Sequence, residues 1–168
     1  MKFKVGDIVV HPVYGPGDIV KIEEKRLSKT ETARLYYKIA LSRSTIWMPV
    51  ETQATIGLRL VTAKRDLGRY RKLLKSHPIP LNNDHPQRHV EMAGRLKQGS
   101  FQVMCETVRD LTAWGWQNSL GSTDKATLKK ARERLEQEWA MADGISTTEA
   151  IEEIDSLLQA NHQVYNTG

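Results

Sequence analysis

The first 22 residues constrain the fold of this chain most strongly. Two short β-branched runs, Ile8 to Val10 and Asp18 to Ile22, flank the connector His11 to Gly17. Such side chains suit a pleated, half-buried surface, so both runs are predicted strands. The connector holds two Gly and two Pro, which set the backbone angles of a sharp reversal. Its segment Gly15-Pro16-Gly17 also weakly resembles a phosphate-cradling loop, but no helix pattern and no Lys-Ser or Lys-Thr pair follows, which favours a tight barrel corner.

Three more β-rich runs follow, at Leu35 to Ala40, Thr45 to Val50 and Leu58 to Val61. Five short strands with few helix signals predict a small SH3/Tudor-like five-stranded β barrel. From Asp66 the apolar residues recur with a helical period. We therefore expect an α+β chain with a barrel at residues 1–65 and an all-helical bundle at residues 66–168.

Capping and stop signals divide the second domain into successive helices. A Ser or Asp followed three residues later by Glu or Gln has the form of a capping box. The predicted helix starts are Asp66, Asp84 with Gln87, Gly99-Ser100, Ser122 or Thr123, and Ser146 with Glu149. The predicted ends are His77-Pro78, Lys97, Trp114-Gly115-Trp116 together with Asn118-Ser119-Leu120-Gly121, Gly144, and fraying from Asn161.

The composition argues against several classes of protein. A chain of 168 residues with 39% hydrophobic and 27% charged residues is typical of a globular protein. Its apolar runs are shorter than the ~20 residues of a membrane span, and the first residues lack the apolar core of a signal peptide. Cys105 is the only cysteine, so neither an internal disulfide nor a cysteine-rich zinc site can form. We expect a cytoplasmic monomer without a cofactor or a metal ion.

The net charge of +5 hides a segregation along the chain. Residues 1–65 carry 12 Lys and Arg against 6 Asp and Glu, and residues 66–134 carry 13 against 7, a surplus of +6 in each block. Residues 135–168 carry 7 acidic residues and no Lys or Arg. Basic blocks before an acidic tail indicate a surface for nucleic acid or an acidic protein, with a segment that stays away from it. An ordinary solvated surface with an acidic last helix explains the same numbers.

Catalytic chemistry finds little support in the sequence. Cys105 lies on the apolar face of a predicted helix, where a desolvated thiol is inert, so it is interpreted as a core residue rather than a nucleophile. His77, His85 and His89 are close in sequence but lack the further ligands of a zinc site, which favours solvated or capping histidines. We therefore predict neither a catalytic residue nor a metal ligand, and expect that the protein is not an enzyme.

Two basic surfaces are better candidates for function. A predicted helix carries cations at positions i, i+4 and i+7. Such a row suits the phosphate backbone of a nucleic acid. A solvated helix face with interspersed Glu explains the row equally well. The residues of the row are Lys125, Lys129 and Arg132, with Lys130 beside them. In the first domain, Lys25-Arg26 and the run Ser42 to Trp47 could form a basic, aromatic strand edge that pairs with a partner strand. Trp47 is explained equally well as a core residue.

Motifs along most of the chain resemble the CarD/CdnL family of bacterial RNA-polymerase-binding transcription factors. Phe3 to Pro12 with Gly15 and Gly17 is similar to the first hairpin of that family, which the transcription-repair coupling factor, a large helicase, also carries. The other motifs that carry the resemblance are Met48-Pro49-Val50-Glu51, Ile56-Gly57-Leu58-Arg59, Arg88, Val108-Arg109-Asp110-Leu111, and Lys125 with Leu128 and Lys130-Ala131-Arg132.

The resemblance implies a two-part transcription regulator. The barrel would dock on the lobe of the RNA polymerase β subunit by strand-edge pairing, with Lys25 and Trp47 where the family contacts the polymerase. The helical domain would lie on promoter DNA at the upstream edge of the melted region, with Lys125 and Lys130 at phosphates, and stabilise the open complex. We expect no strong sequence specificity, because no helix displays an obvious base-reading set.

One loop departs from the family pattern. The family inserts a tryptophan into the minor groove from the loop entering the second helix, and here His85 stands at that point between Asp84 and Pro86. An imidazole offers less apolar area to prop open a base step, and the carboxylate of Asp84 repels phosphate. His85 and Arg88 are nevertheless expected at the DNA. The alternative is a polymerase-binding adaptor whose helical domain recruits another protein and hardly touches DNA.

Overall fold

The computed structural model describes residues 2–51, 55 and 57–165. The chain divides into two compact units, Met1–Val61 and Thr62–Gly168, the first built of strands and the second of helices. The predicted α+β architecture is thereby confirmed. The division falls at residue 61, where the sequence analysis expected 65. Ile56, part of one quoted motif, lies outside the described residues.

The first unit is one antiparallel sheet with the strand order β4-β3-β2-β1-β5. Its strands are β1 Ile8–His11, β2 Gly15–Lys25, β3 Arg34–Ala40, β4 Thr45–Pro49 and β5 Arg59–Leu60. All five strands were predicted, but the placement of Gly15 to Gly17 in a corner was wrong. These residues begin β2 and pair with β1. A Cβ atom on Gly17 would lie 2.8 Å from the carbonyl oxygen of Ala40, so glycine is required by the close approach of β3.

A bulge in β2 reverses the faces of the sheet. Ile19 pairs with Ile39, whereas Lys21 pairs with Lys38, which leaves Val20 as the extra residue. Ile19 is buried in the sheet core together with Tyr37 and Ile39. A strict period of two would turn Lys21 and the alternate residues after it toward that core. The bulge instead places them on the opposite face.

The second unit contains five helices and a short 3-10 turn at Lys64–Asp66. The helices are α1 Leu67–Leu74, α2 His85–Gln98, α3 Phe101–Gln117, α4 Ser122–Asp143 and α5 Thr147–Tyr165. They enclose an apolar core with Trp139, Leu135 and Val108 fully buried. Cys105 also lies in this core, as predicted, and burial raises the pKa of its thiol.

The observed helix caps agree with some of the predicted caps and differ from others. The box at Ser146 and Glu149 is confirmed, because each side chain accepts a hydrogen bond from the backbone N–H of the other residue, at 3.0 and 3.2 Å. Asp84 caps α2 by accepting from the N–H of Gln87 at 3.0 Å, but the Gln87 side chain contacts Glu91 instead of completing the box. At the start of α4 neither Ser122 nor Thr123 is the cap, because Gly121 takes that position without a side-chain bond.

The predicted end of α3 was wrong in part, and the predicted fraying from Asn161 was wrong. Helix α3 continues through Trp114-Gly115-Trp116 to Gln117 and is capped by Asn118, where the second part of the predicted stop begins. A Cβ atom on Gly115 would lie 3.2 Å from the side chain of Leu120, so this glycine serves packing and does not end the helix. Asn161 is not frayed but 1% exposed, and its amide donates to the carbonyl oxygens of Leu74 and Ser76 at 2.8 and 2.7 Å. These bonds satisfy acceptors at the end of α1.

Candidate functional site

The edge strand β4 presents an aromatic ring between two ammonium groups. Trp47 pairs with Lys38 of β3, and directly opposite residues share a face of a sheet. The Nζ atoms of Lys25 and Lys38 lie 3.7 and 5.3 Å from the centroid of the Trp47 ring, within cation–π range. Trp47 is half-buried on the face opposite to the apolar core, which favours its interpretation as a surface residue.

The bulge in β2 explains how Lys25 reaches this ring. It turns Lys21 and Lys25 to the face that carries Lys38 and Trp47. Sequence reasoning missed Lys38, which belongs to the cluster through its register with Trp47. A signal for the reversal was available, because Ile19 and Ile22 are three residues apart where a regular strand would keep an even spacing. Arg26 is exposed immediately after β2.

The loop that enters α2 is held by a buried arginine. Arg88 is 7% exposed, and its Nη2 lies 3.0 Å from Oδ2 of Asp124. Its Nη1 donates to the carbonyl oxygens of Asn82 and Asn83 at 2.8 and 3.4 Å. The ring of Trp114 lies 5.2 Å from the guanidinium carbon. Arg88, which was expected at DNA, is therefore committed to internal partners in this structure.

His85 is the exposed residue that Arg88 positions. Nη2 of Arg88 lies 3.1 Å from Nδ1 of His85. Because a guanidinium only donates hydrogen bonds, Nδ1 is the acceptor, and the proton of the neutral ring resides on Nε2. His85 is the first residue of α2, directly after the cap Asp84. The loop thus offers one N–H donor and one carboxylate to its surroundings.

The basic residues of α4 fall into two groups. Lys125, Lys129 and Lys130 are exposed, and none of them makes an ion pair within the described part of the chain. Arg132 is different, because its Nε donates to Glu136 at 3.1 Å and its Nη2 to Asp155 at 2.6 Å. The predicted stripe therefore consists of three free ammonium groups and one neutralised guanidinium.

The acidic segment of the chain packs against the basic one. Asp155 of α5 binds Arg132, and Glu153 of α5 binds Arg71 of α1. These carboxylates neutralise particular arginines on neighbouring helices. The pairing depends on the packing of α5 against α1 and α4 and could not be deduced from the spacing of residues.

The candidate metal ligands show no common site. Among the residues that the structure describes, no group of three or more His, Cys, Asp or Glu is placed to hold a metal ion. Nδ1 of His77 lies 2.8 Å from the carbonyl oxygen of Pro78, and Nδ1 of His85 accepts from Arg88. In the same described regions, no helix is long and apolar enough to cross a membrane.

Comparisons with known proteins match both units. Residues 3–61 match the domain family described as CarD-like/TRCF RID domain, and residues 70–155 match CarD, C-terminal domain. The chain belongs to the CarD family. It is 26% identical over 144 residues to the Bacillus subtilis (strain 168) protein named "Putative transcription factor YdeB", an alignment that covers 86% of this chain and 94% of that protein.

The family membership confirms the resemblance inferred from the motifs. CarD-like proteins are transcription regulators and not enzymes. The RID domain of the family is an RNA-polymerase-interacting domain, and it coincides with the strand unit that carries Trp47. The CarD C-terminal domain coincides with the helical unit that carries His85 and the α4 ammonium groups.

Proposed function

We propose that this CarD-like chain binds the lobe of the RNA polymerase β subunit through β4 and stabilises the open promoter complex by contacting upstream DNA with its helical unit. The observation that carries the proposal is the edge strand with Trp47 between Lys25 and Lys38, in a domain of the polymerase-interacting type. The DNA contacts are made without strong sequence specificity.

The polymerase contact uses strand-edge pairing. Among the residues that the structure describes, β4 has β3 as its one neighbour in the strand order, so its other edge is available to a partner strand. Trp47 supplies an aromatic anchor of the type that dominates binding energy at interfaces. Lys25 and Lys38 add two positive charges beside it, which favour an acidic partner surface. Arg26 extends the same charge after the end of β2.

The DNA contact combines the positive charge of the α4 lysines with His85 as a small wedge. Lys125, Lys129 and Lys130 are exposed ammonium groups suited to phosphates, and such contacts position a protein without reading sequence. His85 lies at the groove edge, where its Nε2–H donates to a base or sugar acceptor. Arg88 contributes by holding the imidazole and not by touching phosphate, and Arg132 contributes less than the lysines because Glu136 and Asp155 neutralise it.

The polymerase contact is tested by replacing Trp47. Trp47→Ala should weaken binding of the full chain to the polymerase at least tenfold, because truncation of a hot-spot aromatic costs about 2 kcal/mol or more. Tyr14→Ala is the matched control, since Tyr14 is an exposed aromatic residue of the same unit outside β4. If the Tyr14 variant loses affinity and the Trp47 variant does not, β4 is not the docking edge.

The adaptor function remains a second candidate because of the loop at His85. Arg88 is buried and bound to Asp124, whereas Asp84 and His85 are exposed on the loop. The loop therefore presents no free cation to DNA. Under this alternative the helical unit binds another protein. Footprints of the promoter that do not change on addition of the protein, while polymerase binding is intact, would favour the adaptor.

A further inference from the structure

Helix α1 and its two flanking residues carry a second row of cations that the proposed function does not use. Arg65, Arg69, Lys72 and Lys75 are all exposed. Arg69 and Lys72 lie three residues apart on one side of α1, with a rise of about 4.5 Å, and Arg65 in the preceding 3-10 turn and Lys75 at the C-cap continue the row. The opposite side of α1 packs into the core through Leu67, Tyr70 and Leu74. We call these four basic residues the α1 patch.

The α1 patch is not neutralised within its unit. In the part of the chain that the structure describes, none of its four side chains forms an ion pair. Arg69 is held in place by a neutral group, because its Nη2 donates to the phenol oxygen of Tyr70 at 2.8 Å and its guanidinium lies over the ring. The neighbouring Arg71 shows the contrast, since it binds both Asp143 and Glu153. Among the described residues, the exposed face of α1 therefore carries positive charges that no carboxylate neutralises.

A glycine lies in the middle of the α1 patch. Gly68 is exposed at the second position of α1, three residues after Arg65 and four before Lys72, and is therefore their neighbour on this surface. No atom lies within 4 Å of a Cβ placed there, so packing does not require glycine. Because Gly68 has no side chain, a ligand can approach the helix backbone closely at this position.

We propose that the α1 patch is a second phosphate-binding surface for duplex DNA, in addition to the lysines of α4. The inference rests on the proposed function and extends it. Protein interfaces have an apolar centre and membrane-bound helices have an exposed apolar face, whereas the α1 patch consists of four cations around a glycine. A regular row of cations with room for close approach suits the regular row of phosphates on a duplex.

The α1 patch begins near the C-terminal end of α4, whereas the α4 lysines lie in the first half of that helix. Lys64, one residue before the α1 patch, lies 3.8 Å from Asp143, the last residue of α4. Lys125 stands in the first turn of the same helix. The 18 residues from Lys125 to Asp143 correspond to about 27 Å along the axis, so the Arg65 end of the α1 patch lies well away from Lys125. The α1 patch therefore lengthens the DNA contact beyond what α4 alone provides.

The test is the salt dependence of DNA binding by the full chain, measured by fluorescence anisotropy with a labelled promoter duplex. For the double variant Arg69→Gln/Lys72→Gln, the slope of log affinity against log salt should become shallower by about 1.8, at about 0.9 for each lost phosphate contact. Lys29→Gln/Lys97→Gln is the control, because it removes two exposed lysines outside both surfaces and should leave the slope unchanged. Gly68→Gln should weaken binding severalfold without lowering the melting temperature.

The outcomes separate this inference from the proposed function. If Lys125→Gln/Lys129→Gln reduces the slope and the α1 double variant does not, the α1 patch is not a DNA surface and the proposed function stands. If only the α1 variant reduces the slope, the patch is supported and the role of α4 fails. Loss of polymerase affinity in the α1 variant with unchanged DNA binding assigns the patch to an acidic protein surface and overturns the inference. Failure of the wild-type chain to bind duplex DNA at low salt overturns both.

Discussion

Arg88 and Asp124, 36 residues apart, form an ion pair at 3.0 Å with both side chains buried. The pair joins the start of α2 to the first turn of α4. Because the same guanidinium donates to Nδ1 of His85, the pair also sets the position of the exposed imidazole. An internal ion pair therefore supports His85, the residue that we propose for the groove edge of DNA.

Asp124→Asn should strongly destabilise the helical unit. Removing one partner of a buried pair leaves the other charge uncompensated and costs about 3–5 kcal/mol of the free energy of unfolding. Asp155→Asn is the matched control, because Asp155 pairs with Arg132 at the exposed surface, where such pairs contribute about 1 kcal/mol or less. Denaturant unfolding measures both values. Equal losses in the two variants would show that the buried pair is not a structural anchor.

Gly17→Ala should destabilise the sheet. The added Cβ would lie 2.8 Å from both the Ala40 carbonyl oxygen and a methyl carbon of Ile39, so β3 must shift, at about 1–3 kcal/mol. Gly94→Ala serves as the control, since a Cβ there meets open space and alanine favours the helix. Thermal unfolding should show a lower melting temperature for the first variant only. A neutral result for Gly17→Ala would contradict the close approach of the two strands.

His11 should make the sheet unit sensitive to mild acid. Burial lowers the pKa of His11 from 6.5, and its Nδ1 accepts the N–H groups of Val13 and Tyr14 at 3.0 and 3.1 Å. The folded state therefore binds the proton less tightly than the unfolded state. The stability contributed by the neutral ring is present above pH 6.5 and is lost as the pH falls through the lower folded pKa.

The variant His11→Asn tests this pH dependence. An Asn side chain offers an acceptor to the N–H two residues on but does not titrate. The fall in melting temperature between neutral and mildly acidic pH should be smaller in the variant than in the wild type. A pH dependence that is the same in both proteins would assign the effect to other groups.

Local patterns predicted the elements because the evidence for each lies within a few residues. The strands were recognisable from β-branched runs, and the helices from apolar spacing and from caps such as Ser146 with Glu149. Glycine was misread where its reason is tertiary. Gly17 looks like a turn signal in sequence, but it makes room for the distant strand β3; Gly115 makes room for Leu120 as the chain leaves α3.

The candidate site was predictable in its residue types but not in its partners. Lys25 and Trp47 were identified, whereas the contribution of Lys38 depends on strand register and on the bulge in β2. Arg88 was expected at DNA, because its partner Asp124 belongs to another helix and nothing in the spacing links them. Charge alone does not distinguish a free cation from one neutralised by tertiary packing.

His85→Trp should strengthen the action of the protein on promoters. If His85 lies at the groove edge as proposed, tryptophan there provides a larger apolar wedge that stabilises an unstacked base step. The lifetime of the open complex should be longer with this variant than with the wild type. His85→Gln, which keeps a hydrogen-bond donor without an aromatic ring, is the control and should give no increase. A lifetime that is unchanged in the tryptophan variant would place this loop away from the DNA.

The central claim is tested most directly by the lifetime of open complexes on a ribosomal-type promoter, with polymerase from the same organism, in the presence and absence of this protein. We expect a longer lifetime with the wild-type chain and a loss of that effect with Trp47→Ala, which removes the proposed polymerase anchor. An unchanged lifetime under conditions in which the protein is bound to the polymerase would contradict the account and favour the adaptor.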